Sequence, residues 1–228
     1  MMTGRAHIIL AVITAAFLLS SCAYTDGVTG TPAGANPNQE LPTFWQSIAT
    51  QADRGRISHW RRSFREGVAD GAAGGHANEV AAEGELLRPD AGLADPRPPA
   101  GEYRCRFIKL GSQGSVPLSF VAYPWFQCQI QDQGETLRFT KLTGSQRPSG
   151  TFYPENRLRM IFLGVLELGD ETRAHVYGRD VNRDMAGTLE RIGDARWRII
   201  LPYPRFESLV DVIELVPVDA QSSASAAE

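Results

Sequence analysis

The sequence predicts a mainly β protein with helices on its N-terminal side: an antiparallel barrel of about eight strands preceded by one long and one short helix. Three observations carry that expectation. Apolar residues between Phe44 and Val68 recur at three- and four-residue steps, the period of a helix buried along one stripe. After Gly101 the pattern changes to short runs of β-branched and aromatic residues divided by Gly, Asp, Asn and Ser clusters. Finally, Tyr-Pro-Trp-Phe-Gln-Cys at 123–128 returns as Tyr-Pro-Arg-Phe-Glu-Ser at 203–208, a repeated kink suited to two equivalent corners of a sheet.

The chain opens with Arg5 and His7, followed by an apolar run from Ile8 to Leu19. A helix that crosses a bilayer needs about 20 residues, so residues 1–21 read as a signal peptide. Leu19-Ser20-Ser21-Cys22 resembles the lipobox of bacterial lipoproteins, in which cleavage leaves the cysteine first and its amine and thiol acylated; the plainer reading is an ordinary leader with an accidental cysteine. The resemblance implies a membrane partner reached through acyl chains on Cys22. Three such chains suffice for stable attachment, since two lipid signals already do. Ala23 stands where inner-membrane lipoproteins of enterobacteria carry aspartate, so the expected address is the periplasmic face of a bacterial membrane, the outer in preference to the inner. Residues 22–41 are Gly, Pro, Thr and Asn with little to bury, a flexible tether of roughly 25 Å end to end. The net charge of −3, or −4 once Arg5 leaves with the leader, is too mild to imply a nucleic-acid partner.

Residues 42–100 form the helical segment. Phe44, Trp45, Ile48, Ile57, Trp60, Phe64 and Val68 make its stripe, with Arg54, Arg61 and Arg65 along the margin. Such a helix lies either on anionic lipid or on the rest of the domain, the arginine stems covering its edge; packing on the domain is the favoured reading. Gly74-Gly75 is expected to end this helix, a shorter one to run from about Ala77 to Leu87, and residues 89–101 to form a Pro-rich connection. The barrel follows over 101–218, with strands expected in EYRCRFIKL, SFVAYPWFQCQI, ETLRFTKL, RLRMIFLGVLEL, TRAHVYG, MAGTLERI, RWRIILPY and FESLVDVIELVPV, and a hairpin turn at Gly193-Asp194. Residues 219–228 read as a disordered tail.

Within the first kink, alternation puts Phe126, Cys128 and Ile130 on the core face; in the second, Phe206 and Ser208 take the equivalent places. The corner therefore does not itself require a thiol. With Cys22 acylated, Cys105 and Cys128 remain in an oxidising compartment, and a disulfide between adjacent strands is the expectation, against two buried free thiols. A metal site is not expected, because His59, His76 and His175 lack ligand spacing; nor is a cofactor.

Chemistry is thinly written. The chain has two lysines, Lys109 and Lys141, and both stand in the words Lys-Leu-(Thr)-Gly-Ser-Gln. Each ends a strand before a Gly-Ser loop, so Lys109 with Ser112, and Lys141 with Ser145 and Arg147, are candidates for binding an anion or sugar hydroxyl, with Tyr123 and Tyr203 on the rims. The plainer reading is that Gly-Ser makes good turns. There is no Gly-x-Ser-x-Gly, His-Glu-x-x-His or phosphate-binding loop. Glu167, Glu190, Glu207, Asp211 and Glu214 offer carboxylates for sugar chemistry, and Tyr177-Gly178-Arg179-Asp180 with Arg183-Asp184 reads as a charged site or, more simply, a solvated loop.

The words CRFIKLG, AYPWFQC, FTKLTGSQRPSG, FYPENRLRMIFLG, DMAGTLERIG and LPYPRFES, reaching to DVIELVP, resemble a family of alphaproteobacterial envelope proteins described as domain of unknown function 4893, over about residues 43–217. That resemblance implies no reaction, substrate or cofactor. The resulting expectation is a lipocalin-like barrel serving as a non-catalytic binding or envelope-maintenance module. It would hold an apolar or amphipathic ligand in a cavity lined by Phe107, Phe126 and Phe139, or an envelope protein on its Tyr-Pro rims. The alternative is a hydrolase acting on an envelope glycan or lipid through converging strand carboxylates.

Overall fold

The computed structural model describes residues 44–114, 117–169, 171 and 175–218. The expected signal peptide, Cys22, the tether and the C-terminal tail lie outside the described residues. Helices α1 (Trp45–Ile48), α2 (Gln51–Ser58), α3 (Trp60–Gly71) and α4 (Ala77–Ala82) precede strands β1 (Gly101–Ser112), β2 (Phe120–Ala122), β3 (Phe126–Gln133), β4 (Thr136–Lys141), β5 (Gln146–Asn156), β6 (Arg159–Leu168), β7 (Asp184–Gly193), β8 (Arg196–Pro202) and β9 (Ser208–Pro217). Every strand pairing is antiparallel, and β1 pairs with β9 to close the barrel. Eight strands make the closed wall. The short β2 is the extra one: it pairs with β1 at Ile108–Leu110, and β3 pairs with the same side of β1 at Gly101–Cys105.

Alternation along the strands fills the interior. Tyr103, Cys105, Ile130, Phe139, Phe152, Phe162, Trp197, Ile213 and Leu215 point inward and are almost fully buried. Phe139, Phe152 and Phe162 form a mutual aromatic cluster with centroids 5.4–5.9 Å apart. Gly150 faces Gly164 across β5 and β6, and Phe162 lies so close over the pair that a Cβ on Gly164 would stand 2.6 Å from the ring. Cys105 and Cys128 are bonded as a disulfide, with Cα atoms 5.9 Å apart on adjacent strands, as expected from their shared inward face.

The opposite face of β1, β8 and β9 receives α3: Trp60 and Phe64 pack with Ile108, Leu110, Ile200, Val210 and Val212. Trp45 and Ile57 pack instead on Ile161, Leu163 and Ala186. The stripe therefore covers the barrel, and Arg61 and Arg65 turn to Asp90 rather than to a lipid surface. The helix differs from the single long run expected to end at Gly74-Gly75. It breaks at Ala49, which is extended, where the Thr50 side chain accepts from the Asp53 amide to start α2 afresh, and again at His59. Phe44, placed in the stripe, is 71% exposed. The expected stop at Gly74-Gly75 does hold: Gly75 leaves helical geometry at φ 97°, and the shorter α4 starts afresh at Ala77.

Two strand expectations need correction. QRPSGTFYPEN, absent from the expected strands, is β5; its Pro148 and Pro154 fall outside the stretch Ser149–Phe152 that pairs with β4, so their missing N–H groups break no bond there. The described part of TRAHVYG, residues 175–178, is not a strand. The expected turn at Gly193-Asp194 does join β7 to β8.

The connection after the helices seals one end of the barrel. The Trp197 indole donates to the Pro96 carbonyl at 3.1 Å, the Tyr103 hydroxyl to Pro99 at 2.7 Å, and Leu93 bridges to Arg191. Arg198, wholly buried, holds the same segment by donating to the carbonyls of Glu85, Leu86 and Arg88 and to the Glu190 carboxylate. What remains open is the other end.

Candidate functional site

The open end is built where β1, β4, β6 and β8 finish and β5, β7 and β9 begin. Inward positions on those strands place Phe107, Lys109, Lys141, Leu166, Met185, Leu201 and Asp211 around the mouth. One cavity there has a volume of about 320 Å³, with apolar walls of Phe107, Leu166, Met185, Leu201 and Phe206 and a charged rim that includes Arg56, Arg183, Asp184 and Glu207. A second, about 440 Å³, shares Phe107, Lys109 and Gln146 with the first and adds Tyr123, Phe126, Lys141 and Ser145. Both lysines thus face one chamber. Phe139, expected to line it, is instead part of the packed aromatic layer beneath, because it and Lys141 are two residues apart on the inward face of β4.

Lys109 stands 3.0 Å from a Glu207 carboxylate oxygen and 3.9 Å from Asp211. Burial opposes its charge, but Asp211 and Glu207 outweigh burial and raise its pKa. For Asp211, burial pushes the carboxyl up, opposed by Lys109 and by the Ser208 hydroxyl that donates to it. That hydroxyl answers why the second Tyr-Pro phrase ends in serine: its polar task is one a disulfide sulfur could not perform.

Lys141 is otherwise placed. Its amine donates to the Gln146 carbonyl at 2.7 Å and lies 3.6 Å from the centre of the Phe126 ring and 5.3 Å from that of Phe107. Burial, and then the charge of Arg147, lower its pKa to about 8. Among the described residues no ion pair relieves it. Arg147 itself donates to the Leu168 and Gly169 carbonyls at 3.3 and 3.5 Å.

A model of the family described as domain of unknown function (DUF4893) matches residues 45–215. The chain belongs to that family. No curated protein and no solved structure matches it. The match spans the helical layer and the barrel through β9, so the mouth belongs to the DUF4893 domain in full.

Of the residues singled out from sequence, the DUF4893 domain gathers Lys109, Lys141, Ser145 and Tyr123 at one cavity, with Arg147 acting on it through charge. Ser112 is at the end of β1, where its backbone amide donates to Asp70 on α3; it does not line the cavity. Tyr203 turns away, its hydroxyl donating to Glu66 on α3 at 3.0 Å. The two Tyr-Pro phrases are accordingly not equivalent corners. The first bends the wall between β2 and β3, and the second forms the β8–β9 loop over the mouth, with Tyr203 at φ 44° and Glu207 at φ 70°. Such non-glycine conformations cost of order 1–3 kcal/mol each. Gln113 holds the loop, its side chain donating to the Pro204 carbonyl and its amide to that of Glu207.

Sequence reasoning missed Arg56 and Met185, placed Phe206 on the core face although it is 59% exposed at the cavity edge in the β8–β9 loop, and took Arg183-Asp184 for a solvated loop. Asp184 is buried and accepts from the Gly178 amide at 2.9 Å; burial first, and the nearby Asp53 charge, push its pKa up. Asp53 in turn binds Arg56 and the Tyr177 hydroxyl. The acidic-basic pairing of that stretch was the available signal. Of the strand carboxylates, Glu190 and Glu214 lie on the outer wall with Arg198, Arg106 and Arg196, whereas Glu207 and Asp211 converge on Lys109.

Proposed function

We propose that the protein is a lipid-anchored binding module of the bacterial envelope, facing the periplasm, which takes a small amphipathic molecule into the mouth of its barrel. The single observation that carries this reading is the mouth cavity of about 320 Å³, apolar at its wall and charged at its rim, above a solid aromatic floor. Its size lies at the lower end of small-molecule sites. The apolar body of the ligand rests against Phe107, Leu166, Met185 and Leu201, and its polar end meets the rim of Arg183, Arg205 and Glu207. The lipobox-like Leu19-Ser20-Ser21-Cys22 supports the anchor, Ala23 favours the outer membrane, and the Cys105–Cys128 bridge suits an oxidising compartment.

The test is native mass spectrometry of the chain extracted from its own membrane, followed by titration with a fluorescent apolar probe. Acylation at Cys22 and a retained small molecule are expected, with probe affinity falling at least about tenfold in Met185→Trp, which fills the mouth. A Met185→Trp variant that keeps its fold and its affinity would overturn the binding reading. A free amino end on Cys22, or a chain retaining the leader, would overturn the anchor.

One observation favours a second reading, hydrolysis of an envelope glycan or lipid. Glu207 and Asp211 meet at Lys109 in unlike surroundings, Asp211 buried and the Glu207 side chain 47% exposed. Loss of a measurable envelope-hydrolytic activity in Asp211→Asn with probe binding intact would favour it over binding alone.

A further inference from the structure

Lys141 and Lys109 end their strands in nearly the same words, yet their surroundings are opposite. Lys109 is protonated between two carboxylates. Lys141 meets one neutral acceptor, two aromatic rings and the like charge of Arg147, and among the described residues no carboxylate pairs with it. Only 3% of the residue is exposed, although it lines the chamber of about 440 Å³ with Phe107, Tyr123 and Phe126. A buried primary amine without a counter-ion is stabilised by giving up its proton, and the neutral amine is a nucleophile.

We infer that Lys141 is a covalent site for small apolar aldehydes, which it holds in the barrel mouth as an imine. This rests on the binding reading above. A carboxylate ligand would carry its own charge into an apolar chamber, to be met there by an amine whose surroundings favour the neutral form. An aldehyde brings none, and condensation removes the charge already present. In the step, the amine lone pair forms the bond to the carbonyl carbon. The carbonyl oxygen takes both amine hydrogens and leaves as one water, and C=N replaces C=O with no net oxidation or reduction. Burial and Arg147 lower the amine to about 8, so near neutral pH a tenth or so of it is the reactive form, about two-hundredfold more than for an ordinary lysine.

The full chain, extracted in detergent, is incubated with octanal and cyanoborohydride, which reduces any imine to a stable secondary amine, and is read by intact mass and peptide mapping. With only two lysines in the chain, Lys109 is an internal standard in the same molecule. The expected result is one octyl group on Lys141, at least about tenfold in excess over Lys109, with a rate that rises with pH around a midpoint of about 8. Lys141→Arg is expected to lose the label. Equal labelling of the two lysines, or an unlabelled Lys141 in protein that binds the probe, would overturn the inference while leaving the binding reading standing. Protein that neither binds the probe nor takes the label would overturn both.

Discussion

Replacing Lys141 by methionine is expected to stabilise the ligand-free protein at neutral pH, against the usual direction of a change at a buried site. The side chain is 3% exposed, and its amine is lowered from the ordinary value of about 10.4 to about 8 by burial and then by Arg147. The folded state therefore binds the Lys141 proton less tightly than the unfolded chain does. Stability rises with pH wherever the unfolded state holds more protons, so the ammonium costs stability in full below about pH 8, and the cost fades as pH climbs towards 10.4. A separation of that size corresponds to about 3 kcal/mol at pH 7. Methionine keeps the length and the contacts with Phe107 and Phe126 but gives up the bond to the Gln146 carbonyl, worth about 1 kcal/mol at any pH. The net expectation is a gain of about 2 kcal/mol at pH 7 that shrinks to near zero by pH 10. Urea unfolding followed by tryptophan fluorescence measures both, and the variant-minus-wild-type difference cancels the titration of every other group. A difference that is the same at pH 7 and pH 10, or a variant less stable than wild type at pH 7, would refute the reasoning that a desolvated, unpaired ammonium occupies the mouth.

Removing the Cys105–Cys128 bridge, by reductant or as a double alanine variant, is expected to cost roughly 3 kcal/mol for its separation of 23 residues, read as a lower urea midpoint. Gly67→Ala puts a Cβ 2.5 Å from Val210 Cγ1 and 3.1 Å from the Leu110 carbonyl, so α3 must lift from the barrel, and a loss of about 1–3 kcal/mol is expected. Gly55→Ala on α2, where a Cβ meets nothing within 4 Å, is its control and is expected to raise the thermal midpoint by an amount equivalent to about 0.5–1 kcal/mol. Arg198→Leu strands the buried Glu190 and three carbonyls and is expected to cost about 3–5 kcal/mol, whereas Arg198→Leu with Glu190→Leu costs less because no charge is left unpaired.

How far the fold could be read beforehand follows from which signals are local. The helical stripe, the inward alternation of Phe126, Cys128 and Ile130, and the pairing of Cys105 with Cys128 are properties of period and side-chain type, and all three appear in the structure. β5 was not legible because Pro148, Gly150 and Pro154 are strand breakers in isolation; the prolines are tolerated because β4 is shorter than β5, and Gly150 because Gly164 faces it under the Phe162 ring, both facts about neighbouring strands. Gly67, Gly71 and Gly74 were in plain view at helical spacing. Read one at a time they weaken a helix, but together they form the flat face that lets α3 approach Leu110, Ser119 and Val210. Tyr203 was misplaced for a similar reason: an identical dipeptide does not impose an identical backbone, and its φ of 44° comes from the loop that Gln113 and Glu66 hold.

The lysine pair was the most legible part of the site, because two inward positions at strand ends must share a barrel end whenever the strands are antiparallel and separated by one other. What the sequence did not disclose is that equal words would be given unequal chemistry. The difference comes from β9, which runs beside β1 but not beside β4: its Asp211, with Glu207 just before it, reaches Lys109, and among the described residues Lys141 is left with two aromatic rings and the neutral Gln146 carbonyl. An ammonium already neutralised by two acids has little affinity left for a ligand, so Lys109 serves to fasten the β8–β9 loop over the cavity. An ammonium with no acid is unstable as it stands. Whatever enters the mouth and relieves that instability by removing the charge gains up to the roughly 3 kcal/mol that the empty protein forgoes, and this asymmetry is the physical reason to look for the ligand at Lys141 first.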